Sequence, residues 1–357
     1  MKKLTVGIMG TAKNTGKTTS TIALLNYFCD RAVSVGLTSI GFDGERLDNV
    51  TGLPKPRLFV RRNVLAATAE TCLAAGSAGI RVIERLGVGT PLGEVICGRV
   101  EREGLLVLAG PNQSKYLRPV IDFLHRQGAA LVMVDGALNR IVPVVETDGL
   151  ILATGASYKQ NIAEIARDAG HISAICNRPG QIPLPAGIAA AGRTVLWDRP
   201  GHVLADTVGS LFQAEDLRPL MNRARSAGGF FCPGVVSPGC LKEMLQMPFP
   251  RKSTFIFADP VKLIVGGDPA AAAHFITAVN GRGGTVGYLR PLPLLAVTVN
   301  PFYPRYRYET RDYQPAYVDG EELLHRVSSL VDVPVCDVVA QGGEKLSRLV
   351  EAMMQKD

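Results

Sequence analysis

A short apolar strand, Leu-Thr-Val-Gly-Ile-Met at 4–9, runs directly into Gly-Thr-Ala-Lys-Asn-Thr-Gly-Lys-Thr-Thr at 10–19, and a helical stretch follows. No other feature constrains the chain as much. Strand, glycine-bearing turn, Gly-Lys-Thr and helix in that order form a loop that wraps an anion at a helix N-terminus. Unpaired N–H groups and the helix dipole favour negative charge there. Gly10 and Gly16 let the backbone turn tightly and approach phosphate oxygens. Lys17 supplies a point charge for β- and γ-phosphates, and the Thr18 hydroxyl suits Mg2+. The common Gly-x-x-x-x-Gly-Lys spacing is exceeded by one residue, so that Thr11 takes the usual first-glycine place.

Apolar strands are read at 4–9, 33–40, 92–97, 104–108, 130–134, 149–153 and 171–176, with helices at 17–29, 64–75, 114–127 and 159–169. Near-continuous apolar strands between helices predict an α/β fold, a mostly parallel sheet with helices on both faces, and the loop at 10–19 makes the expected sheet a P-loop NTPase one. A strand at 194–197 and a helix at 202–213 complete this domain. The small-residue, charged segment at 223–229 marks the boundary. The expected division is a nucleotide-binding domain over 1–225 and a smaller C-terminal α/β domain over 226–357, the latter for partner contact or regulation. In this second part strands are read at 230–236, 253–258, 261–265, 284–288 and 294–299, and helices at 239–246, 269–279 and 320–331.

Ligands of open parallel sheets bind beyond the carboxyl ends of the strands, which directs attention to the residues there. The run Leu-Val-Met-Val-Asp-Gly at 131–136 delivers Asp135, an acid expected to orient Mg2+ through water opposite Thr18. Asp43 and Glu45 follow the second strand. Carboxylates beside a triphosphate are costly without a cation between them, which assigns Asp43 to the metal site; a solvated loop is the alternative for both. The run at 171–177 ends in Asn177, whose amide could accept from an adenine amino group and donate to a ring nitrogen. Asn-Arg-Pro-Gly at 177–180 is not the Asn-Lys-x-Asp of guanine-specific proteins, so the expected base is adenine. Two further segments, 110–115 and 154–157, each follow a strand and open a helix. Ser114 is expected to cap one of these, and Lys115 to meet an anionic substrate or partner; ordinary loop chemistry is the other reading.

The candidate set is therefore catalytic Lys17, Asp43 and Asp135, and metal-binding Thr18, Asp43 and Asp135. The nucleotide-binding set is Gly10, Thr11, Lys13, Asn14, Thr15, Gly16, Lys17, Thr18, Thr19 and Asn177, with ATP and Mg2+ as the cofactors.

Charge and cysteine usage narrow the alternatives. The formal charge of +7 is spread over 357 residues, with short clusters at Arg61 and Arg62 and at Arg305 and Arg307. Such scatter argues against nucleic acid and suits acidic small ligands. The seven cysteines include no Cys-x-x-Cys pair and read as reduced core residues; Cys232 and Cys240 have the wrong spacing for a metal knuckle. No apolar stretch reaches the ~18–20 residues of a membrane span, and Met-Lys-Lys leads into a strand instead of a signal peptide. A cytoplasmic protein without membrane contact is expected. Five of the nine tyrosines fall within residues 302–317. Tyr303, Arg305, Tyr306, Arg307 and Tyr308 are expected to meet a protein partner, within a homo- or hetero-oligomer, unless this loop folds over its own domain.

The loop resembles the Gly-Thr-Asp-Thr-x-x-Gly-Lys-Thr loop of dethiobiotin synthetases at Gly10, Thr11, Gly16, Lys17 and Thr18. Those enzymes stand in a group of P-loop proteins with MinD-like and cobyric-acid-synthase-like members. Ala12 and Lys13 replace the Asp-Thr pair, so the resemblance carries over the nucleotide-binding half and not the substrate chemistry. Asn177 looks like the adenine-reading position of this group. The phrases Thr-Val-Asn-Pro-Phe at 298–302 and Pro-Val-Cys-Asp-Val at 334–338 resemble the P-loop subunit of the reactivating factor for lysine 5,6-aminomutase, which implies contact with a mutase or a partner subunit. Three functions follow. The first is an ATPase that activates or remodels a client protein. The second is a ligase or kinase acting on a small carboxylate or amine. The third, a scaffold without turnover, is disfavoured by intact Lys17, Thr18 and Asp135.

Overall fold

Alternation along the first strand shows how the chain layers itself. The structure, a computed structural model, describes residues 2–41, 58–137, 142–178, 181–185, 188 and 192–355. In β1 (Leu4–Gly10), Leu4, Val6 and Ile8 pack into one core cluster with Leu24, Leu25 and Phe28 of α1 (Lys17–Asp30). On the opposite side Gly7 faces Val144 and Thr147, while Thr5 bonds His125. Burying a side chain such as Phe28 contributes ~1.5–3 kcal/mol.

The chain continues through β2 (Val35–Ser39), β3 (Phe59–Val60), β4 (Leu65–Ala69), α2 (Glu70–Ala75), β5 (Gly79–Thr90), β6 (Gly93–Arg102) and β7 (Gly104–Leu105). Then come α3 (Ser114–Arg126), β8 (Leu131–Ala137), β9 (Gly149–Gly155) and α4 (Ile162–Cys176). Next are β10 (Thr194–Trp197), β11 (Val203–Thr207), α5 (Arg218–Met221), β12 (Gly229–Cys232), α6 (Pro238–Gln246), β13 (Thr254–Phe257), α7 (Val261–Ile264), α8 (Pro269–Gly281) and β14 (Thr285–Tyr288). The last elements are β15 (Leu294–Asn300), β16 (Phe302–Arg307), β17 (Asp312–Tyr317), α9 (Gly320–Ser328), β18 (Val335–Cys336) and α10 (Glu344–Gln355).

The larger sheet has the order β18-β15-β9-β1-β8-β2-β4-β6-β5. Pairing is parallel from β18 to β4 and antiparallel from β4 through β6 to β5. Helices cover both faces. Leu346, Val350 and Met354 of α10 join α1 on one, and Leu124 of α3 lies where a Cβ on Gly36 would touch it on the other. The expected α/β architecture with a mostly parallel sheet is thus present.

The division at 225/226 is not. The chain separates into one unit of residues 1–169 and 294–357 and a second of 170–293. The physical reason is sheet pairing: β15 hydrogen-bonds β9, and β18 hydrogen-bonds β15, so the C-terminal segment belongs to the first sheet. The second unit has its own sheet, β11-β10-β12-β13-β14, with β12, β13 and β14 mutually parallel and β10 antiparallel to both its neighbours.

Four element readings are corrected by packing. Residues 171–176 continue α4 instead of forming a strand, because Ile165, Ala166, Ala169, Ile172, Ile175 and Cys176 recur at helical spacing and are all buried. Residues 65–69, alanine-rich and read as helix, form the fully buried strand β4 between β2 and β6. Within 202–213, read as helix, β11 pairs with β10, and 261–264 is the helix α7.

Six cysteines are buried and Cys29 is half-buried, all with free thiols. Burial pushes the Cys97 and Cys176 thiols up to about 12 and Cys232 to about 11. The Sγ of Cys232 donates to the Gly209 and Gly234 carbonyls, and that of Cys240 to Gln213. A thiol reagent at pH 8 is expected to label the native protein rapidly at Cys29 at most, and all seven thiols after denaturation. Rapid labelling of three or more in the native state would contradict this burial.

Candidate functional site

Parallel register brings Asp135 to the carboxyl end of the sheet beside the glycine-bearing loop. Asp135 of β8 pairs with Ile8 of β1, two residues before Gly10. Lys17 is the first residue of α1, and its Nζ lies 3.2 Å from Asp135 Oδ2. The two side chains are only 11% and 15% exposed, so the pair is weakly screened by solvent.

The loop itself is tightly wound. Gly16 has φ 91° and Asn14 φ 62°, both left-handed, a region that Gly enters without strain and Asn tolerates. A Cβ on Gly10 would stand 2.9 Å from Thr15 Oγ1 and 3.1 Å from the Ala12 carbonyl, so the close turn requires glycine. Thr15 is buried, and its hydroxyl donates to Ala12 O at 3.0 Å, closing the loop on itself. Thr11 is tied to β9: its N–H donates to Ala153 O at 2.9 Å and its hydroxyl to Thr154 Oγ1 at 3.1 Å. That bond explains how a residue with a side chain occupies the usual first-glycine place. In α1 the hydroxyls of Ser20 and Thr21 turn back onto the carbonyls of Gly16 and Lys17. Thr18 and Thr19 lie partly exposed in the first turn, and Lys13 is exposed.

Three residues that sequence reasoning did not assign hold the loop from the side. Thr154 accepts from Thr11. Ser157 Oγ donates to Asn14 O at 2.9 Å, and Asn300 Nδ2 donates to the same carbonyl at 2.8 Å. Asn300 ends β15, the strand next to β9, and its Cβ is 3.4 Å from where a Gly16 side chain would begin. Gly155 is required for this approach, since a Cβ there would fall 2.1 Å from Asn300 O. The usable signal was a strand ending in Asn, which Thr-Val-Asn-Pro-Phe at 298–302 carries.

Asn177 does not have that place. It follows the helix α4, its N–H donating to Ser173 O and its Nδ2 lying 3.4 Å from Ser173 Oγ, and it belongs to the second unit. The strand-end premise of its adenine-reading role is therefore lost. Asp43 and Glu45 lie outside the described residues. Ser114 is the first residue of α3 and Gln113 holds the cap position, while the Lys115 ammonium sits 4.7 Å above the Tyr116 ring. The segment at 154–157 does not open a helix directly, since α4 begins at Ile162.

The tyrosine-rich segment is a β-hairpin, β16 paired with β17. Register puts Phe302, Pro304 and Tyr306 opposite Tyr317, Pro315 and Tyr313 on one face, with Tyr303, Arg305 and Arg307 on the other. Tyr306 packs edge-on against Tyr308 and Tyr313, with ring centres about 5 Å apart. Tyr308 and Tyr317 remain 83% and 66% exposed. Arg307 grips Asp312 with two N–H groups and holds its carboxyl down at about 2.

A cation, a carboxylate and a helix N-terminus thus converge at a close-wound loop. The Thr18 hydroxyl and Asp135 carboxylate are hard oxygen donors of the type Mg2+ takes, and Lys17 with the loop suits phosphate oxygens. Among the described residues no group of three or more His, Cys, Asp or Glu forms a separate metal site, and no helix is long and apolar enough to cross a membrane. No family model and no curated protein sequence matches the chain.

Proposed function

We propose that the chain binds ATP with Mg2+ and hydrolyses it to activate or remodel a client protein. The observation that carries this reading is the Lys17–Asp135 pair, 3.2 Å apart beside the wound loop at the start of α1. Lys17 turns from Asp135 towards β- and γ-phosphate oxygens as they enter the loop. Asp135, released from that ion pair, would orient Mg2+ through water, and Thr18 would offer it a hydroxyl oxygen. Mg2+ held there would supply positive charge opposite the phosphoryl oxygens. Thr11, Ser157 and Asn300 hold the loop backbone near its wound form, which limits the reorganisation an arriving anion requires.

The exposed aromatic and proline face of the hairpin supports the client-protein part of the reading. The resemblance at 298–302 and 334–338 makes a cobalamin-dependent aminomutase the first client to try. The ligase or kinase reading has the loop spacing in its favour, with Thr11 anchored on β9.

Phosphate release measured with a panel of nucleoside triphosphates, with and without Mg2+, tests the proposal. Slow, Mg-dependent release from ATP that rises with a protein client is expected. Turnover that instead needs a small carboxylate or amine favours the ligase or kinase, and no binding of any nucleotide overturns both.

A further inference from the structure

Two side chains face both the loop and the hairpin. Ser157 Oγ donates to Asn14 O at 2.9 Å and also to Phe302 O at 3.0 Å. Asn300 donates from Nδ2 to Asn14 O at 2.8 Å and accepts from the Phe302 N–H on Oδ1 at 3.2 Å. The apex carbonyl of the loop and both backbone groups of the hairpin's first residue therefore share the same two anchors. Phe302 is also packed at the hairpin root, its ring 5.8 Å from that of Tyr317.

We propose that Ser157 and Asn300 are positioning residues through which the β16–β17 hairpin and the phosphate-binding loop set one another's conformation. This rests on the nucleotide-binding reading of the loop. A serine hydroxyl has one proton, and here two carbonyls lie within bonding distance of it. Whatever draws Phe302 away shifts that proton wholly to Asn14, and whatever pulls Asn14 away shifts it to Phe302. The Asn300 amide works in the same sense but through two distinct atoms, so a rotation that serves one backbone group disturbs the other. Asn14 depends on these donors because its left-handed backbone is tolerated and not preferred. A nucleotide that fixes the loop thereby fixes the hairpin root, and a protein that seizes the hairpin alters nucleotide affinity by the same factor.

Hydrogen exchange on the full-length protein, with Mg2+ and a non-hydrolysable ATP analogue, tests this. In the wild type, saturating nucleotide is expected to slow amide exchange across residues 303–316. Ser157→Ala should weaken nucleotide binding roughly three- to tenfold, the scale of one lost hydrogen bond, and should markedly reduce the protection of the hairpin even when nucleotide saturates. Ser157→Thr, which keeps a hydroxyl, should restore coupling. Asn300→Asp keeps the acceptor for Phe302 but loses the donor to Asn14, so it should uncouple from the loop side. Two results overturn the inference: nucleotide bound by the wild type without change in hairpin exchange, or full coupling in a folded Ser157→Ala protein. Failure of the wild type to bind nucleotide instead overturns the reading of the loop.

Discussion

Replacing Lys17 with alanine is expected to abolish nucleotide-dependent activity, lowering affinity for the triphosphate about 10²- to 10³-fold. The size follows from removing one partner of a poorly solvated charge pair, which costs ~2–5 kcal/mol in comparable ligand contacts. On the proposed reading the side chain has two roles, since it faces Asp135 at 3.2 Å and stands at the start of the helix to which phosphates would bind. Its loss leaves the Asp135 carboxylate, 15% exposed, without that cation. Repulsion between this carboxylate and the phosphates then adds to the loss of attraction. Lys17→Arg should not rescue activity, because a planar guanidinium cannot take the place of a compact ammonium in a close-wound loop. Titration calorimetry with ATP and Mg2+, alongside a thermal melt to verify folding, checks the result. Unchanged affinity in a folded Lys17→Ala protein would overturn the assignment of the loop.

Asp135→Asn should separate binding from turnover. The amide preserves shape but loses the charge that, on the proposed reading, would orient Mg2+ through water, so kcat is expected to fall about 10²-fold. Affinity for the free triphosphate should hold or rise, because Lys17 no longer has a carboxylate competing for it at 3.2 Å. The Mg2+ concentration for half-maximal activity should move upward. Steady-state kinetics across a Mg2+ series reads all three quantities. A variant with wild-type kcat and an unshifted Mg2+ dependence would remove Asp135 from the metal site.

Much of the site was legible because its determinants are local. Strand, glycine turn, Gly-Lys-Thr and helix are contiguous, and Asp135 ends an apolar run whose burial as a sheet strand its composition dictates. The parts that were not legible depend on pairing between distant segments. Residues 294–299 read correctly as a strand, but nothing in their pattern says that they join β9 in the first sheet. Asn177 and Asn300 look alike in the sequence for the same reason, since both end apolar runs and only packing separates a strand end from a helix end. Gly170 encouraged the misreading by interrupting α4 with a residue of poor helix propensity. Strand β5 escaped notice because charged residues and three register shifts break its alternation at the sheet edge, devices that also blunt that edge against pairing with other chains.

The insertion of the second unit, which begins within α4 and ends just before β15, sets an order of events during synthesis. As the chain leaves the ribosome, the glycine-bearing loop, Lys17 and Asp135 emerge early. Asn300, and the α10 side chains that share a core with α1, emerge only after the whole of residues 170–293. A nascent chain paused within the insert therefore has a loop without its Asn300 brace and an uncovered apolar stripe on α1. The corner around the glycine-bearing loop is complete only when the last part of the polypeptide has been made.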